Sequence, residues 1–179
     1  MAQTTVKATF PEAALAAQKA ALPRDVLLLE TPLGRMTLVQ RGDYLSELRL
    51  NGDVREGETF RDTPLLTQAA QQLSAYFAGA RQAFDLPLAP LGTPFQTLVW
   101  ETLAATVSFG QTVSYGELAK RCDRPAAARA VGMANHQNPL PILIPCHRVI
   151  GANGKLVGYG GGLPLKEHLL ALENARYRR

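Results

Sequence analysis

Cys146 and His147 stand side by side, and a thiol beside an imidazole is a ready start for a nucleophilic site. A thiol attacks carbon as its thiolate, and an unperturbed cysteine has a pKa of about 8.5, so some activation is needed at neutral pH. The imidazole can take the proton directly or through a water. A carboxylate behind it would orient the ring and stabilise its charged form. The alternative reading of such a pair is a cysteine used only as a small buried hydrophobe. The chain holds two cysteines, Cys122 and Cys146, and three histidines, His136, His147 and His168. A structural zinc ion needs about four ligands. Cys122, His136, Cys146 and His147 make up that number, but their spacing fits no zinc pattern, and no metal or other cofactor is expected. The glycines between 158 and 162 lack G-x-G-x-x-G spacing, and no Gly-Lys-Ser/Thr occurs, so a nucleotide cradle is not expected either.

The cysteine lies in the stretch Asn138-Pro139-Leu140-Pro141-Ile142-Leu143-Ile144-Pro145-Cys146-His147-Arg148-Val149. Its apolar run resembles a buried strand, but the prolines delete ladder donors and exclude an ordinary central strand. The run reads as a rigid, extended segment inserted into the core, which would hold Cys146 in a fixed, partly buried place. Upstream, Thr93-Pro94-Phe95-Gln96 has capping-box spacing and predicts a helix to about residue 105. Ser114-Tyr115-Gly116-Glu117 repeats that spacing and predicts a short helix to about 121. The turn Cys122-Asp123-Arg124-Pro125 leads into a third helix over 126–135. Two short helices joined by a tight turn, with small residues on the second, form the pattern of a helix-turn-helix, although many helical hairpins bind nothing.

Ahead of this half lies a smaller α/β pattern. Strand-like runs at 26–30, 36–39 and 44–50, separated by turns at Gly34 and Gly42, predict an antiparallel meander. In the third run Tyr44, Ser46, Leu48 and Leu50 share one face. Thr63 and Pro64 open a helix with the stripe Leu66, Ala70, Leu73 and Phe77, stopped by Gly79. Pro87, Pro90, Gly92 and Pro94 crowd together and mark a boundary near residue 90. The expected organisation is therefore an arm, helical or loose, over 1–24, a small α/β domain over 25–90, and a mainly helical domain over 91–179. The alanine-rich stretch 11–22 is the helical candidate in the arm.

Charge fits a polyanionic partner: Lys and Arg outnumber Asp and Glu by 19 to 15, which makes nucleic acid the first candidate. No run reaches the roughly 18 apolar residues of a membrane span. Pro11 and Glu12 interrupt any signal-peptide pattern, so the cytoplasm is the expected location.

Pro145-Cys146-His147-Arg148-Val149 matches the active-site signature of the O6-alkylguanine-DNA alkyltransferase family. Ser114-Tyr115, the run Ala127-Ala128-Arg129-Ala130-Val131-Gly132, Asn138-Pro139, Gly158-Tyr159-Gly160-Gly161-Gly162-Leu163 and Leu170-Ala171-Leu172-Glu173 follow in the family's order. The chain resembles that family strongly from about 93 to 173 and more weakly over 26–90. The resemblance implies an α+β protein: a ribonuclease-H-like α/β domain, then a winged-helix-like domain with a helix-turn-helix. It implies direct-reversal DNA repair, a single-turnover transfer of an alkyl group from O6 of guanine, and from O4 of thymine, to Cys146. His147 would act as base through a water, Glu173 would orient it, and Asn138 would brace the turn before the cysteine. Tyr115 would help rotate the nucleotide outward and meet the base. Arg129 would fill the gap left in the stack. Ala127, Ala128, Ala130 and Gly132 would allow close approach to the minor groove of double-stranded DNA. The carbonyls of Cys146 and Val149 would accept from the guanine amino group, while Tyr159 and Gly160 would line the alkyl pocket. A monomer is expected.

Two departures stand out. Gly160 replaces a serine of some members, removing a hydroxyl but not a backbone donor. No Cys or His precedes Cys122, so the zinc ligands of some members are missing, and without a cysteine-rich sensing domain the stand-alone repair form is expected. The competing readings are a non-catalytic damage binder, a cysteine hydrolase using Cys146, His147 and Glu173, and a sequence-specific helix-turn-helix regulator. The first lacks the acceptor cysteine, which is present here. For the second no oxyanion-hole motif is evident.

Overall fold

The computed structural model describes residues 21–178. The helix expected over 11–22 falls almost wholly outside the described residues. These form two compact units that part between Leu91 and Gly92.

The first unit is a sheet with one helix. β1 (Arg24–Thr31), β2 (Gly34–Arg41) and β3 (Tyr44–Arg49) make the expected antiparallel meander. A fourth strand, β4 (Glu58–Phe60), adds parallel to β1 and gives the order β3-β2-β1-β4. At three residues β4 is too short to show alternation, so its sequence carried no signal. Arg49 holds it, donating to the Glu58 carboxylate at 2.9 and 2.5 Å. The single-face reading of the third strand is corrected: Leu45, Ser46 and Leu48 are all buried. A register shift between Val39 and Gln40 re-aims the strand, as an extra residue on one strand does.

α1 (Pro64–Phe77) starts where the cap predicts, with Thr63 Oγ1 accepting from Leu66 N at 3.1 Å. Gly79 ends it at φ 72°, a left-handed position that suits glycine. The buried stripe is Leu66, Ala69, Leu73 and Tyr76, not the predicted Ala70 and Phe77. The helix is rotated so that Tyr76 meets Phe84 at 5.4 Å between ring centroids.

The second unit carries α2 (Pro94–Thr106), β5 (Val113–Ser114), α3 (Tyr115–Arg121), α4 (Ala128–His136), a 3₁₀ turn (Cys146–Arg148), β6 (Val149–Ile150) and α5 (Leu163–Leu172). The Thr93–Gln96 capping box is complete. Its Ser114 counterpart is half made: Ser114 accepts from Glu117 N at 3.1 Å, while the Glu117 carboxylate pairs with Lys120 and Arg121. β5 and β6 pair in parallel, Val113 with Val149 and Ser114 with Ile150. One strand ends just before Tyr115 and the other begins three residues after Cys146, so this pairing fixes both residues. Trp100, buried on α2, donates to the Ala134 carbonyl at 2.9 Å and locks α4 against the core. Among the described residues no helix is long and apolar enough to cross a membrane, and no cluster of three or more His, Cys, Asp or Glu could hold a metal ion.

Candidate active site

The segment before Cys146 is not extended, contrary to the sequence reading. It curls into a buried turn in which Ile144 N donates to Leu140 O at 2.8 Å and Leu143 N to Pro141 O at 2.9 Å. Ile142 sits at φ 72°, which is rare for a β-branched residue and persists only where its surroundings demand it. Three prolines remove ladder donors, so the remaining amides are satisfied within the turn. Asn138 staples it. Its Oδ1 accepts from Leu140 N at 3.0 Å, and its Nδ2 donates to Ile144 O at 2.9 Å and to Cys146 Sγ at 3.1 Å. The brace therefore reaches the thiol itself.

Cys146 is 7% exposed. Burial pushes its thiol pKa up, against the Asn138 donor and the nearby Lys166 ammonium, which favour the thiolate. Both are placed to stabilise charge as it develops on sulfur.

Behind the cysteine lies a fully buried polar cluster. His147 Nε2 is 2.9 Å from Glu173 Oε1. Arg148 reaches the same carboxylate from Nε and Nη2, at 2.8 and 2.9 Å, and donates to Val107 O at 2.7 Å. Burial works against the Glu173 carboxylate, but hydrogen bonds and charge from His147 and Arg148 outweigh it and hold its pKa well below the usual range. An ionised carboxylate only accepts, so His147 Nε2 carries the proton. Nδ1 is then the bare nitrogen, and it has no hydrogen-bond partner among the described residues. Burial lowers the imidazole pKa despite Glu173, partly because Arg148 repels a second positive charge. The ring is thus held neutral, as a base must be.

This has a pH signature. The folded His147 pKa lies below its unfolded value of 6.5, so the unfolded chain binds the extra proton and stability falls as pH drops below about 6.5. The slope contributed is at most about 1.4 kcal/mol per pH unit. Glu173 adds stability that is present above about 4.5 and lost as pH falls further. Unfolding curves from pH 7.5 to 5 should therefore be flatter for His147→Leu than for the unaltered chain. Parallel curves would refute the assignment.

In front of the sulfur opens a cavity of about 380 Å³, lined by Tyr115, Ala128, Arg129, Gly132, Asn135, His136, Cys146, Val157, Gly158, Tyr159 and Gly160. Of the predicted site residues it gathers Tyr115, Ala128, Arg129, Gly132, Cys146, Tyr159 and Gly160. Ala127 caps α4 without a side-chain hydrogen bond. Ala130 and Arg129 are exposed on the helix surface. The Tyr115 hydroxyl makes only a long contact to Val157 O, at 3.5 Å. Val149 is fully buried and outside the cavity wall; its carbonyl accepts from Lys166 Nζ at 2.6 Å. The Cys146 carbonyl accepts from Val149 N. Any base amino group would have to share these two acceptors.

Lys166 was missed in the sequence. It is wholly buried, and its ammonium ties Val149 O to Val157 O, at 2.6 and 2.8 Å. Desolvation lowers its pKa to about 8. It joins the strand after Cys146 to the loop that forms the cavity's outer wall. Arg148 was likewise missed as the second partner of Glu173.

Residues 94–175 match the model of the 6-O-methylguanine DNA methyltransferase DNA binding domain, and residues 27–90 that of its ribonuclease-like domain. The methylated-DNA--protein-cysteine methyltransferase of Methanosarcina acetivorans is 56% identical over 154 residues, 83% of this chain and 97% of that protein. The Mycobacterium tuberculosis protein of the same name is 47% identical over 151 residues, 83% and 91% of the two chains. A crystal structure of Mycobacterium tuberculosis OGT in complex with DNA aligns with a TM-score of 0.78 at 47% identity, covering 84% of this chain and 92% of that one. Both halves of the described chain are matched, and the relatives are matched over nine-tenths of their own length, so the chain belongs to the 6-O-methylguanine DNA methyltransferase family.

Proposed function

We propose that this protein repairs DNA directly, moving an alkyl group from O6 of guanine, or O4 of thymine, onto Cys146 in a single turnover. One observation carries the reading: a buried sulfur at the wall of a cavity, with a neutral imidazole beside it whose Nδ1 has no hydrogen-bond partner among the described residues. The thiol proton passes to His147 Nδ1 through a water. Sulfur attacks the alkyl carbon, the S–C bond forms, and the C–O6 bond breaks. The departing ring takes a proton at N1 and becomes ordinary guanine. A thioether has no simple route to hydrolysis, so each molecule acts once. Neither a metal nor a cofactor takes part.

The target atom lies inside the duplex, so the nucleotide must leave the stack. α3 and α4 would present their exposed face to the minor groove, where the small Ala127, Ala128, Ala130 and Gly132 permit close approach. Arg129, exposed at the cavity mouth, would fill the gap, and Tyr115 would crowd the rotating nucleotide. The protein would act as a monomer. Arg129→Ala should slow transfer from duplex by about tenfold or more while leaving transfer from the free base unchanged, since extrusion costs a few kcal/mol only in the duplex. Equal loss on both would contradict the role.

The direct test is intact-mass analysis after incubation with duplex bearing one O6-methylguanine. A single methyl on the peptide containing Cys146 is expected. A folded protein with no mass change would refute the proposal.

A further inference from the structure

Asn135 is used by nothing described so far. It is 6% exposed, and neither its Nδ2 nor its Oδ1 has a hydrogen-bond partner among the described residues. The other buried side-chain amide among the described residues is fully partnered. Gln72, buried to the same degree, donates to Asp85 O at 3.1 Å and accepts from Asp85 N at 2.9 Å. Gln137 accepts from Gln96 at 2.5 Å, and Asn138 makes three contacts. A buried donor and acceptor without partners are unfavourable, and a native fold retains them where something else satisfies them.

The position says what that is. Ala128, Gly132 and Asn135 recur at the i, i+4, i+7 spacing of one helical face, and all three line the cavity that holds Cys146. The first two are small and make room. The third carries a carboxamide, one turn before the asparagine that donates to the sulfur.

We infer that the Asn135 carboxamide hydrogen-bonds the edge of the extruded base and is a specificity-determining residue of this site; the inference rests on the proposed repair function. Alkylation at O6 fixes guanine in the form without an N1 proton. N1 is then an acceptor beside the N2 donor, and a carboxamide offers the complementary donor and acceptor side by side. Undamaged guanine presents donors at both N1 and N2, which sets the amide N–H against another N–H. The contact thus favours the lesion over the normal base.

The test compares the unaltered chain with Asn135→Leu, close in volume and apolar, on an O6-methylguanine duplex and on free O6-methylguanine. Transfer should slow by about tenfold on both substrates, the scale of one or two lost hydrogen bonds. The thermal midpoint should stay level or rise, because an unpartnered amide has been removed. A merely structural asparagine would instead lower it. Free 1-deaza-O6-methylguanine, with C–H at ring position 1, gives a second measure. The analogue leaves less readily in either protein, so the coupling is read as a difference: its rate deficit should be larger for the unaltered chain than for the variant, as coupled groups require. Equal deficits, undiminished transfer in the variant, or a loss confined to duplex would overturn the inference alone. An unaltered chain that takes no methyl from the duplex would overturn the repair function as well.

Discussion

Cys146→Ala is expected to abolish methyl uptake completely while leaving duplex binding and thermal stability close to those of the unaltered chain. The argument is local. The sulfur accepts one side-chain hydrogen bond, from Asn138 Nδ2, and that nitrogen keeps its second acceptor at Ile144 O; the backbone amides of Cys146 and His147 also face the sulfur. Removing the sulfur therefore leaves no side-chain donor stranded in the interior, and the Cys146 amide keeps its bond to Ile144 O. Alanine is small enough for the 3₁₀ turn, and a missing sulfur atom opens only a wall already bordering a cavity, so the loss should be about 1 kcal/mol. The α4 surface with Arg129 and Ala130 is untouched, so affinity for duplex should persist with its steep salt dependence. Activity has no substitute to fall back on. Cys122, the other thiol, is buried and does not line the cavity. Mass spectrometry of both peptides decides the matter: methyl on Cys122, or residual transfer by the variant, would remove Cys146 from its assigned place.

The local signals were legible because their physics is local. Thr63 with Pro64 and Thr93 with Gln96 announce helix starts through a side chain and a backbone amide three residues apart, and both are made as read. The adjacency of Cys146 and His147 needed no folding to be noticed. What failed depended on distant partners. Tyr76, not Phe77, is buried because the first unit's sheet and Phe84 meet that side of α1. The residues between Leu140 and Ile144 curl because Asn138 offers them hydrogen bonds, which no apolar pattern reveals. Arg148 and Lys166 read as surface charges in any sequence window, yet the fold surrounds each with acceptors. Asn135 reads as an ordinary helical polar residue, yet the fold buries it with no hydrogen-bond partner among the described residues.

The Glu173 cluster permits the sharpest separation of stability from chemistry. Glu173→Ala should lower stability by about 3–5 kcal/mol, because it leaves the Arg148 guanidinium buried without its counter-charge. It should also slow transfer by about a hundredfold or more, since His147 loses the acceptor that fixes its tautomer and keeps Nδ1 free. These two losses have different origins. Replacing the charged pair together, as Arg148→Met with Glu173→Leu, removes the stranded charge and fills the space with apolar volume, and should recover most of the stability. It cannot restore the acceptor for His147 Nε2, so transfer should remain slow. The double variant is therefore expected to be stable and nearly inactive, as judged by thermal unfolding beside the rate of methyl uptake. Recovery of activity along with stability would mean that Glu173 serves only to neutralise Arg148, and that His147 needs no orienting partner.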